Sequence, residues 1–126
     1  MPNPNRELHT QQIMYIRKTI NYNDANIGTG VASSFSIPAG AMVVLQSVRV
    51  RTAFNAGTTN AINVGTAAGG SQFFTDAATA GARQPTIANL TFATDQDVFF
   101  QYAQTGTVAT AGVADIVIGY VPNNDQ

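Results

Sequence analysis

Asp95 and Asp97 flank Gln96 at the head of an apolar run. Two carboxylates at i and i+2 lie on one side of a strand, and that spacing suits an acid/base pair or a Ca2+ site. The same residues also serve as solvated turn residues, which is the plainer reading. His9, the only histidine, stands in a polar amino-terminal stretch. General-base work needs a neighbour to orient the ring, and the sequence offers none. Asn21, Asn23, Asp24 and Asn26 carry oxygen ligands but lack the spaced acids and closing Glu of an EF-hand loop, so Asx-turn hydrogen bonds are their expected use. Gly65, Gly69 and Gly70 are not followed by the Gly-Lys-Ser/Thr of a phosphate loop. Ser33, Ser34, Ser36, Ser47 and Ser71 lack the setting of a nucleophile elbow. There is no cysteine, so disulfides, thiolate zinc sites and thiol nucleophiles are absent. The sequence points to no catalytic residue, no cofactor and no metal.

Composition agrees. Of 126 residues only 10% are charged, against about 25% in ordinary globular chains. Six Lys and Arg with a net charge of −1 do not build the basic patch that neutralises phosphates, so no nucleic-acid partner is expected. A surface of Asn, Gln, Ser, Thr and Ala loses little on desolvation against another protein, which suits a packed assembly. The longest apolar run, residues 39–45, is far short of the ~20 residues of a membrane helix, so no membrane partner is expected. Residues 1–12 contain Pro2 and Pro4 and no apolar signal-peptide core. They read as an extended arm ahead of a single domain spanning 13–126.

The elements that must position these groups are strands. Residues 42–54 alternate, with Val44, Gln46, Val48, Val50, Thr52 and Phe54 on one parity and Val43, Leu45, Ser47, Arg49, Arg51 and Ala53 on the other. Successive strand side chains point to opposite faces, so the first set is placed inward. Asn and Gly at 55–60 suit a hairpin loop to a return strand over 61–66 carrying Ile62 and Val64. Further strands are expected at 12–22, 31–37, 86–92, 97–103 and 114–121, with a helix as the alternative for 12–22. Over 31–37, Val31, Ser33, Phe35 and Ile37 share a parity. Ser71 caps an expected short helix through Ala80 that ends at Gly81. The expected fold is all-β: an antiparallel two-sheet sandwich, a jelly roll by preference and a closed barrel by alternative, with one short helix and strand order left open.

Parity then sorts the apolar residues. Val48, Val50, Phe100, Ile116 and Ile118 are placed in the core, and Asp115 on the surface. Val43, Leu45, Phe99 and Val117 fall on outward parities. Exposed apolar patches usually mark interfaces, so these four are the candidate interface of a homo-oligomer.

Four stretches carry a resemblance. They are Ile37-Pro38-Ala39-Gly40-Ala41, Thr52-Ala53-Phe54-Asn55-Ala56-Gly57-Thr58-Thr59-Asn60, Val64-Gly65-Thr66, and Thr105-Gly106-Thr107 with Thr110-Ala111-Gly112. Together they resemble small jelly-roll virion proteins of tailed bacteriophages, in particular capsid decoration or cement proteins, over roughly residues 35–121. The resemblance implies a homotrimer, made in the bacterial host cytoplasm, that binds the major capsid protein or another virion protein on the capsid exterior and reinforces it without chemistry. A different class of reading is a carbohydrate-binding sandwich of a tail protein, for which Tyr15, Tyr22 and Asp95 are the candidate sugar contacts.

Overall fold

The computed structural model describes residues 13–122; the expected arm over 1–12, with His9, lies outside the described residues. Eight strands follow one another: β1 Met14–Asn21, β2 Val31–Ile37, β3 Met42–Thr52, β4 Thr59–Gly65, β5 Phe74–Asp76, β6 Gly81–Arg83, β7 Gln96–Thr105 and β8 Val113–Val121. They form two four-stranded sheets ordered β1-β8-β3-β6 and β2-β7-β4-β5, hereafter the first and second sheets. Every pairing is antiparallel. Only β4 and β5 are both consecutive and neighbours; every other connection passes from one sheet to the other. Eight strands wound this way make a jelly-roll sandwich.

The core lies between the sheets and follows the two-residue period. Val48, Val50, Phe100, Ile116 and Ile118 are buried as their parity predicts, joined by Ile16, Ile20, Ile62, Val64, Val98 and Tyr102. Fully burying an aliphatic or phenyl side chain contributes ~1.5–3 kcal/mol, so these strands hold the sheets together. Tyr102 keeps a polar end: its hydroxyl donates to Asn60 Oδ1 while its ring packs 4.5 Å from Phe54 between centroids.

Four local expectations fail, each for a tertiary reason. First, 55–60 is no hairpin, because β3 and β4 lie in different sheets. Phe54 and Ala56 are buried and Phe54 N donates to Ala78 O at 3.2 Å, so the chain turns across the end of the core. Asn60 closes that loop by accepting from Ala56 N at 2.9 Å. Second, there is no helix over 71–80. Phe73 N donates to Val64 O at 3.0 Å, β5 pairs with β4, and both Phe73 and Phe74 are buried. Pairing and burial override the helix signal. Third, residues 86–92 form a covering loop whose single bridge joins Met42 to Thr91; Val43 N donates to Leu90 O at 2.7 Å and Gly40 N to Phe92 O at 2.9 Å.

The fourth failure concerns parity near strand irregularities. Pairing of β3 with β8 shifts between Val43 and Leu45. The extra residue turns Val43 inward, where it is 0% exposed, and leaves Val44 at 40%. A bulge reverses the alternation on one side of it. β2 shifts likewise between Ala32 and Ser36. Phe35 therefore stands 67% exposed beside a buried Ile37, and its amide donates to Ser33 Oγ at 3.1 Å.

Candidate functional site

Two outer faces and one end of the sandwich are available for function. On the first sheet, register sets the outward side chains in rows. Tyr15 lies across from Gly119 and Leu45, Arg17 from Val117 and Ser47, and Thr19 from Asp115 and Arg49. Gly119 has a packing reason to be glycine. A Cβ there would stand 3.1 Å from the Tyr15 ring and 3.2 Å from Leu45 Cβ, so the ring lies over the bare backbone.

Asp115 is the electrostatic centre of this face. It is 9% exposed, against the surface position expected. Thr19 Oγ1 donates to Oδ1 at 2.6 Å, Arg51 Nη2 donates to Oδ1 at 3.2 Å, and Arg51 Nε and Arg17 Nη2 stand 3.0 and 3.9 Å from Oδ2. The Thr19 hydroxyl is the main cause that holds this carboxyl below the usual carboxylate range. Burial works the other way, and the Arg51 and Arg17 charges add to the lowering. Arg49, directly across from Asp115 in the same row, has no ion-pair or side-chain hydrogen-bond partner among the described residues. A groove of about 550 Å3 runs here, lined by Arg17, Ser47, Arg49, Gln84, Asp115 and Val117 among others. Since Arg51 already neutralises Asp115, the groove presents Arg17 and Arg49 as its net charge.

The second sheet's outer face is different. Thr75 Oγ1 donates to Asn63 Oδ1 at 2.9 Å, Asn63 Nδ2 to Gln101 Oε1 at 2.8 Å, and Gln101 Nε2 to Gly28 O at 2.9 Å. This ladder crosses three strands without a charge. Beside it, Phe99 is half-buried opposite Ala32 and Gly65.

Asp76 and Arg83 join the sheets where the chain crosses from β5 to β6. Arg83 Nε and Nη2 donate to the Asp76 carboxylate at 2.7 and 2.8 Å, and Ala78 N donates to it at 2.8 Å. Burial alone would raise the Asp76 carboxyl; the Arg83 hydrogen bonds, the Ala78 amide and the Arg83 charge outweigh it and lower it. Gln46 is the odd group of the core: it is 2% exposed, and neither side-chain amide atom has a hydrogen-bond partner among the described residues.

The residues singled out from sequence do not gather into one site. Val43 is in the core, so it contributes to no interface. Leu45 and Val117 are half-buried on the first sheet's outer face, while Phe99 is on the second sheet's. Asp95 accepts from Ala39 N at 2.7 Å and Asp97 from Ser36 Oγ at 2.7 Å; both act as turn and strand-end acceptors. Asp24 accepts from Asn21 N, three residues back, at 2.8 Å; this is a local turn bond, though not the Asx turn expected. Among the described residues no three His, Cys, Asp or Glu side chains gather as a metal-binding group. Tyr15 and Tyr22 sit near opposite ends of β1, ~23 Å apart along the strand. The Arg51–Asp115–Thr19 cluster went unread in the sequence because its members come from three strands, and strand order was open. At the end where the described chain begins, Ile13, Met14, Met42, Val44 and Leu90 are exposed.

No protein-family model and no curated protein matches the chain. Solved structures do. A chain in the capsid asymmetric unit of cyanophage Pam1 superposes with a TM-score of 0.67 at 16% identity, over 90% of this chain and 87% of that one. A chain of the acid-stable capsid of Helicobacter pylori bacteriophage KHP30 gives 0.59 at 17%, over 86% and 89%. At these identities the likeness establishes a shared all-β sandwich fold that extends over nearly the whole of each chain.

Proposed function

We propose that this chain is a structural protein of a bacteriophage virion, of the decoration or cement type, which binds the exterior of the capsid and stabilises it by protein–protein contacts. The observation that carries this reading is the fold shared, nearly end to end, with chains of two phage capsid structures. The side-chain chemistry supports adhesion without catalysis, since among the described residues the carboxylates serve as turn acceptors, strand-end acceptors and ion-pair partners. The exposed apolar end around Met14, Met42 and Leu90 is the surface assigned to the shell protein, with a homotrimer as the bound form. The carbohydrate-binding alternative gains no support, because Tyr15, Tyr22 and Asp95 do not share a face.

Co-sedimentation tests the reading. Purified protein added to capsid shells that lack it should bind to saturation at a fixed ratio to the shell protein and raise the temperature at which the shells rupture. Protein that stays in the supernatant at every ratio would overturn it.

A further inference from the structure

We infer that copies of this chain associate head to tail, the first sheet's outer face of one copy meeting the second sheet's outer face of the next, with Asp97 of one entering the groove beside Arg49 of the other. This deepens the proposed virion role and rests on it for its biological setting.

Within one copy, some charges are left over. Among the described residues, Asp115 and Asp76 are already paired with arginine. Arg49 faces the groove without a partner, and Arg17 reaches Asp115 only at 3.9 Å with its side chain 70% exposed. Asp97, like Asp24 and Asp95, meets no cation among the described residues; of the three only Asp97 stands on a strand, where its hydrogen-bond partner is the Ser36 hydroxyl. These guanidinium groups lie on one outer face and the Asp97 carboxylate on the other. Two sheets pack ~10 Å apart with side chains on both outer sides, so one copy cannot close this pairing on itself.

The apolar groups repeat the arrangement. On the second sheet Asp97 and Phe99 are two residues apart on β7 and share its outward parity. On the first sheet Arg17 stands directly across from Val117, with Leu45 one row further. An acid beside an aromatic ring on one face thus has a base beside aliphatic side chains opposite it. Charges set register at an interface while the desolvated aromatic supplies area.

This geometry also limits symmetry. In a two-fold dimer both complementary faces would have to touch the same partner. Faces on opposite sides of a sandwich cannot do so. A heterologous contact of this kind builds a ring of three or more copies where its rotation closes and an open filament where it does not.

Sedimentation equilibrium of the full chain at roughly tens of micromolar, where an ordinary specific interface holds, tests the inference. Wild type should assemble beyond a dimer, as a ring or a filament, and the assembly should weaken as salt rises. Arg49→Glu and Asp97→Arg should each weaken association by on the order of tenfold or more, and the double variant should regain it. The milder Arg49→Gln and Asp97→Asn, with circular dichroism, separate lost contact from lost fold. A wild-type monomer or dimer, or reversals that leave the mass unchanged, overturns the inference. A monomer that still saturates capsid shells refutes the head-to-tail contact and leaves the virion role standing; a ring or filament that binds no shell does the reverse.

Discussion

The two outer faces of the sandwich are built from the same strand chemistry and end in opposite states. The first sheet concentrates ionised groups around one nearly buried carboxylate and leaves Arg49 without an ion-pair partner among the described residues. The second sheet ties its outward amides and hydroxyls to one another in an uncharged ladder. The difference shows how a chain with so few charges divides its labour. One face spends its hydrogen bonds internally and offers shape and an aromatic edge. The other keeps charge for recognition, at the expense of a fold that depends on pH.

The largest expected effect lies beneath both faces. Phe100→Ala should cost ~3–5 kcal/mol, since the ring is fully buried between the sheets. Chemical denaturation measures it, and a small cost would mean the sheets do not share one packed core. Next comes the charged face. Asp115→Ala removes an acceptor used by Thr19 and Arg51 and should cost ~1.5–3 kcal/mol at neutral pH. The sign of its pH dependence follows from the lowered carboxyl. Its contribution is full above the unfolded-state value of about 3.9 and is lost as pH falls through the lower folded-state value. The variant should therefore melt nearer to wild type in acid than at neutral pH. A gap that stays constant with pH would show that the loss is packing and not charge. Asp76 carries a second contribution of the same sign, so some acid sensitivity remains in the variant.

The uncharged face should respond less. Asn63→Ala breaks the ladder at its centre and should cost ~1 kcal/mol, with no pH dependence. If its cost rivals that of Asp115→Ala in thermal melts, the contrast between the faces fails. The smallest change sharpens the picture of what lies between them. Gln46→Met replaces a buried, unpartnered amide with an apolar side chain of similar length. It should leave the melting temperature unchanged or raise it. A clear drop would show that the amide finds a partner in solution.

The alternation of residues was enough to read β1, β3, β7, β8 and the fully buried set, because a two-residue period survives wherever a strand is regular. It failed where one extra residue entered. Val43 and Val44 exchange faces for that single reason. Turn chemistry marked 55–60 as a reversal but could not say whether the strands on either side pair, since Asn and Gly serve a crossing loop as well as a hairpin. The helix expected after Ser71 was a local preference set against the burial of Phe73 and Phe74, and burial prevailed. The functional surface was the least legible part. Leu45, Val117 and Phe99 were recognised as outward and apolar, but only the sheet order reveals that they occupy opposite faces. Asp115 looked exposed because parity gives direction and says nothing of the arginines that cover it.

The proposed role places this sandwich on the outside of a phage particle. A cryo-electron microscopy map of virions that encode the chain tests it most directly. The account predicts density for an eight-stranded sandwich at regularly repeated positions on the outer capsid surface, in contact with the shell protein. Sandwich density confined to the tail or to the capsid interior, or particles with no such density, would contradict it.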